Sequence, residues 1–137
     1  MIFSEIVQGR IVPFPTDDSH RDEGAELVFN GRVRGTEHGK LILALEYEHY
    51  SGMAEKELND LALETAEKFP LRDVFCRHRV GRINIGETSL HVAIWSKHRK
   101  ECLEAMTYFI TELKKRVPIW KWAILMDGEK IPSECAH

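Results

Sequence analysis

Between Lys100 and Arg116, apolar side chains recur at helical spacing through Cys102, Met106, Phe109, Ile110 and Leu113, and then Val117-Pro118 interrupts the pattern. A stripe of that width needs another layer to lie on. Proline ends the helix, because it donates no backbone hydrogen bond and disfavours helical geometry in the residue before it. The residues beyond Pro118 must therefore begin a new element, and Ile119 to Leu125 reads as a strand. Cations mark both ends of the helix: Lys97-His98-Arg99-Lys100 opens it, Lys114-Lys115-Arg116 closes it, and Lys121 returns beyond the proline.

The rest of the chain supplies the layer this helix requires. Ile2 to Val7 is a short first strand, followed by the polar, turn-rich run from Thr16 to Gly24. Ala25 to Arg34 and Leu41 to Tyr50 alternate as strands on either side of a turn at Gly35 to Gly39, and together read as a β-hairpin. Ala54, Leu58, Leu61, Ala62, Thr65, Ala66 and Phe69 keep the 3.6-residue period of a first helix, which Pro70 closes. Asp73 to Val80 and Thr88 to Trp95 are two further strands, joined through Gly81 and Gly86. An Asp127-Gly128 turn comes after the last strand. The order β-ββ-α-ββ-α-β predicts an α+β fold with helices packed on a sheet.

At 137 residues the chain is sized for one domain, residues 1–137, with a single core. Its net charge of −3 argues against a general nucleic-acid binder, since such domains are basic overall. Positive charge is local instead, which suits a small anionic ligand. Cys76, Cys102 and Cys135 are odd in number, far apart and without a CxxC pair, so they propose neither a disulfide framework nor a metal site. They fit a reducing cytoplasm. Residues 1–10 have no apolar run of signal-peptide type, and no stretch approaches the roughly 20 apolar residues a membrane span needs.

Chemistry concentrates on the cations. Lys114 follows the buried Leu113 by roughly 100° around the helix, so it sits at the edge of the stripe. There it can lay its stem on apolar surface and hold its amine at a cleft, which Lys121 could approach from beyond the proline. Two neighbouring ammonium groups lower each other's pKa, and desolvation lowers it further, giving an amine able to act as base or nucleophile. Lysines at a helix C-terminus equally suit the helix dipole while remaining solvated. His98-Arg99 precedes a helix, where backbone amides favour anions and a guanidinium adds a bidentate contact; it also fits a solvated connection. Arg32 and Arg34 point the same way at a strand end, as a wall of an anion pocket or as exposed charges. By residue type Phe29 and Trp120 belong in the core. Gly35 to Lys40 is one residue short of a P-loop, and a strand follows it. His49, His78 and His91 lack metal-ligand spacing, and no metal or cofactor is expected.

In order along the chain, several stretches resemble the large, catalytic subunit of molybdopterin synthase, the MoaE family. They are Gly24-Ala25 through Phe29-Asn30-Gly31-Arg32-Val33-Arg34, Leu45-Glu46-Tyr47-Glu48-His49-Tyr50 with Gly52-Met53, and His78-Arg79-Val80-Gly81 with Gly86-Glu87. Ser96-Lys97-His98-Arg99, Leu113-Lys114 and Pro118-Ile119-Trp120-Lys121 complete the series. The resemblance implies an α/β hammerhead-type domain with an added antiparallel β-containing subdomain, in a central homodimer. A small ubiquitin-like sulfur carrier would insert its C-terminal Gly-Gly thiocarboxylate into each site. The substrate would be cyclic pyranopterin monophosphate and the product the molybdopterin dithiolene, with two carriers consumed per product. By match, Lys114 and Lys121 would be catalytic. Arg32, Arg34, His98 and Arg99 would hold the substrate, one set coming from the dimer mate, and Phe29 would line the carrier-tail channel. A non-catalytic paralogue that binds the carrier or a pterin phosphate is the alternative, and an unrelated anion-binding domain is a third reading. The chain departs from the family at the Thr16 to Gly24 loop, at Trp122-Ala123, and around Cys135.

Overall fold

The computed structural model describes residues 1–14 and 19–133. The parts of the departures at Thr16–Asp18 and at Cys135 lie outside the described residues. A four-stranded sheet has the order β1-β5-β7-β2, built from β1 (Ile2–Val7), β2 (Ala25–Arg32), β5 (Leu71–Arg79) and β7 (Thr88–Ser96). β1 runs parallel to β5, and the other neighbours are antiparallel. Two helices lie on one face, α1 (Met53–Lys68) and α2 (Arg99–Arg116). Their stripes close a core with Val74, Cys76, Val92 and Ile94, in which Leu58, Leu61 and Phe109 are fully buried. This mixed α+β arrangement is the one expected.

A second sheet carries β3 (Thr36–Glu37), β4 (Lys40–His49), β8 (Ile119–Leu125) and β9 (Lys130–Pro132), with β6 (Gly81–Asn84) also paired to β4. Its smaller core gathers Val33, Ile42, Leu45, Tyr47, Val80, Ile83 and Ala123. The expected hairpin between the second and third long strands does not form. β2 pairs instead with β7, and β4 pairs with β8. The reason lies in the connection. Thr36 and Glu37 turn back on Leu41 and Lys40 as β3, with His38 and Gly39 at positive φ between them, so the tight turn is consumed before β2 is reached.

Both helix ends are local consequences of sequence. Gly52, at φ 89°, turns the chain into α1, and its N–H donates to the Glu55 carboxylate at 2.9 Å. At the other end, Phe69 is already extended and Pro70 follows. α2 stops at Val117, whose N–H reaches the Leu113 carbonyl at 3.0 Å. Pro118 then points its carbonyl at the Tyr50 N–H, 3.1 Å away, pinning the corner between α2 and β8 to the end of β4.

Candidate active site

That corner brings the carboxyl end of α2 against the first residues of β8. Lys121 stands directly opposite Tyr47 of β4, with its Nζ 5.8 Å from the centre of the phenol ring. The Lys114 amine is pushed down to about 8, first because the surrounding protein strips its water and then because the Lys121 charge opposes it. The residue as a whole is exposed, so its amine is desolvated yet open to an incoming group. A lysine in that state holds and releases a proton near neutral pH, which an ordinary surface lysine does not.

Two buried rings accompany the pair. Tyr47 is 8% exposed, and burial chiefly raises its phenol above the ordinary range. His78 of β5 meets Tyr47 edge-on, with ring centres 5.5 Å apart. Nearby, His49 Nε2 lies 3.5 Å from the Glu55 carboxylate. A hollow of about 410 Å3 opens beside Tyr47 and His49, walled also by Gln8, Glu46, Glu48, Val80, Gly81 and Trp120. Neither lysine is among its wall residues, and Tyr47 is the side chain that links it to Lys121.

The other candidate residues divide between near and far. Phe29 is 37% exposed at the β2 edge of its sheet, and Trp120 is 44% exposed, its indole N–H donating to Glu48 at 2.9 Å. Neither is a core residue, because each stands on a strand face that no helix covers fully. A Cβ on Gly31 would lie 3.4 Å from the edge of the Phe29 ring and 3.7 Å from the Ser89 hydroxyl, so the bare glycine gives that ring its room. The Ser89 hydroxyl donates to the Gly31 carbonyl at 3.2 Å.

Arg32 donates through Nε and Nη2 to the Gly86 carbonyl, at 3.1 and 2.7 Å, so its guanidinium braces the turn before β7. Arg34 is exposed, with Nη2 4.0 Å from the buried Glu37 carboxylate. His98 and Arg99 are exposed at the opposite end of α2, with His98 as its N-cap. Over the fifteen-position step from Arg99 to Lys114 a helix rises roughly 22 Å. One chain therefore joins Lys114 to Lys121 and keeps His98 and Arg99 away from both.

His78 is a buried polar group beside Tyr47 that residue spacing did not single out. The signal was present: Val74, Cys76 and His78 alternate along β5 on the buried face, and the third of these is polar. Among the described residues, no group of three His, Cys, Asp or Glu side chains is arranged to hold a metal ion, and no helix is long and apolar enough to cross a membrane.

Residues 10–116 match the family model described as MoaE protein. The molybdopterin synthase catalytic subunit of Pyrococcus abyssi is 37% identical over 111 residues, covering 81% of this chain and 75% of that protein. The X-ray structure of molybdopterin synthase from Staphylococcus aureus superposes with a TM-score of 0.79 at 37% identity, over 92% of this chain and 93% of that one. A complex of subunits 1 and 2 of molybdopterin-converting factor from Helicobacter pylori shares the fold at 22% identity, with a TM-score of 0.75 over 96% of this chain and 90% of that one.

Proposed function

Because the chain belongs to the MoaE family, we propose that Lys114 and Lys121 serve sulfur transfer from a carrier thiocarboxylate to cyclic pyranopterin monophosphate. The activity is that of a molybdopterin synthase catalytic subunit, a sulfurtransferase of molybdenum cofactor biosynthesis. The observation that carries the residue assignment is the Lys114 amine, desolvated and opposed by Lys121 at the corner between α2 and β8.

The chemistry assigns each group a task. The thiocarboxylate sulfur of a small ubiquitin-like partner forms a bond to a ring carbon of the substrate as that carbon's bond to oxygen breaks. Water then cleaves the acyl–sulfur bond, leaving the sulfur on the pterin and a carboxylate on the carrier. A second carrier delivers the second sulfur to the neighbouring carbon. Of the two displaced oxygens, one leaves as water and the other stays on phosphorus, so the cyclic phosphate opens to a monophosphate. Lys114 accepts and returns protons, since its amine exchanges them near neutral pH. Lys121 stabilises the anionic oxygens that develop. The carrier's tail enters past Phe29, and its end reaches Lys114.

Arg34, with Arg32 braced beside it, and His98 with Arg99 hold the phosphate and pterin. Because they stand at the far end of α2, His98 and Arg99 would come from a second copy of the chain, and the working unit would be a homodimer with a carrier at each end. The buried, free thiols of Cys76 and Cys102 suit a reducing cytoplasm.

The test mixes purified protein with thiocarboxylated carrier and cyclic pterin and follows the dithiolene product. Parental protein should form it, while Lys114→Ala and Lys121→Ala should each abolish it with folding and carrier binding intact. Turnover by either variant at the parental rate removes that lysine from the chemistry. A parental protein that binds carrier without forming product is the non-catalytic paralogue.

A further inference from the structure

One face of β8 carries Ile119, Lys121, Ala123 and Leu125, so a charged residue occupies an otherwise apolar register. On β4, His49, Tyr47 and Leu45 stand opposite Ile119, Lys121 and Ala123 in turn. Residues paired across two strands project to the same side of the sheet, within reach of each other. The stem of Lys121 thus has apolar neighbours along its own strand and an aromatic ring across from it.

That ring is held from behind. Tyr47 is buried in the smaller core with Leu45, Val80, Ile83 and Ala123, and His78 meets it edge-on at 5.5 Å. One position away, on the opposite face of the same strand pair, the Trp120 indole donates to Glu48 at 2.9 Å and fastens the register. The Lys121 Nζ stands over the Tyr47 ring, 5.8 Å from its centre. Burial chiefly raises the phenol, so its oxygen offers the lysine no negative charge, and the π face is what meets the amine. Lys114 on α2, His78 on β5 and, acting through Tyr47, Glu37 on β3 are the titratable groups around this pair.

We propose that Tyr47 is the positioning residue for Lys121: its buried ring is a fixed seat that holds the amine at the corner between α2 and β8. The proposal rests on the reading of Lys121 as the group that stabilises developing anionic oxygens. A cation on a long flexible stem serves a transient charge only if it is already in place when that charge appears. A carboxylate would also hold the amine but would neutralise it, whereas an aromatic face attracts the cation and leaves its charge for the substrate.

Two variants separate the ring from its hydroxyl. Tyr47→Phe keeps the ring, and Tyr47→Leu keeps apolar bulk alone. The full chain is treated with an amine-acylating reagent at pH 8, and each lysine is followed by peptide mass spectrometry, with the exposed Lys115 as internal reference. Losing the ring removes an attraction to the protonated form, so Lys121 in Tyr47→Leu should label about threefold faster than in the parent. In Tyr47→Phe it should stay close to the parental rate. A folded Tyr47→Leu protein with parental Lys121 labelling overturns the proposal, as does Tyr47→Phe labelling as fast as Tyr47→Leu. A change at Lys114 as large as that at Lys121 also overturns it, because that is a loosened corner and not a lost seat. In product formation, Tyr47→Phe should keep a kcat at least about threefold above that of Tyr47→Leu, with similar KM for the pterin; equal kcat values overturn the role.

If the leucine variant does not fold, proton NMR of the parental protein decides. The ring current of Tyr47 should move the Lys121 ε-methylene protons upfield of those of Lys115, and coincident shifts overturn the seat. Labelling and NMR need neither carrier nor pterin. The expected labelling pattern in a protein that makes no product therefore counts against the proposed function, not against Tyr47.

Discussion

The two ends of α2 carry similar cations in opposite surroundings. At the amino end, His98 and Arg99 stand exposed; at the carboxyl end, Lys114 is desolvated and faces Lys121, with Tyr47 and His78 packed close by. The first arrangement holds charge where an anion arriving from solvent can meet it. The second weakens a proton's hold on nitrogen, which is chemistry and not attraction. A helix of 18 residues spans roughly 27 Å, so the two ends of one α2 stand far apart. The division of labour lies within one chain, and the proposed homodimer would bring its halves together.

The sharpest way to break this contrast is to remove the amine at the crowded end. Lys114→Ala should slow product formation by about 10²–10⁴-fold, the range for a lost acid–base group, with an unchanged circular dichroism spectrum. Arg99→Ala at the open end should act on binding instead. We expect KM to rise by about 10- to 100-fold, corresponding to about 1.5–3 kcal/mol for a charged hydrogen bond, while kcat stays near the parental value.

Co-refolding those two variants joins both ends in one assay. With substrate well below the parental KM, where Arg99→Ala homodimers contribute little, the mixture should regain about a quarter of parental activity, because half the dimers are mixed and each has one intact site. No recovery would show that both ends are required within the same chain.

A subtler change alters the contrast without deleting the amine. Product formation should rise with pH through about 8 as Lys114 loses its proton. Lys121→Met removes the opposing charge, so the Lys114 pKa should climb and the inflection of Lys114 labelling by an amine-acylating reagent should move to higher pH. An inflection that stays in place would show that burial alone sets the amine. The smallest effect belongs to Gly31→Ala, whose Cβ would stand 3.4 Å from the Phe29 ring. Stability should change by less than about 1 kcal/mol and carrier affinity by less than about fivefold, both measurable by calorimetry.

Long elements were readable because their periods are long enough to repeat. α2 was expected over 100–116 and is observed as Arg99–Arg116, since its stripe and its proline stop both lie in sequence. Pairing was less legible. β3 and β6 hold two and four residues, too few for an alternation to declare itself, yet they occupy the edges of β4 that a simple hairpin would have used. Phe29 and Trp120 look like core residues by type, but their exposure depends on which strand neighbours exist, and that is tertiary information. The lysine pair shows both sides of the matter. Its spacing suggested convergence, while the desolvation that distinguishes Lys114 needed β4 and β5 in place beneath it.

Pairing Trp120 with Glu48 joins residues 72 positions apart, and Lys121 takes its place opposite Tyr47 through the same strand contact. Closing a contact over that separation carries a loop-entropy cost that a local contact does not. A molecule in which β8 has left β4 would lose the burial that sets Lys114 apart, so the proposed amine chemistry belongs to the fully assembled fold alone.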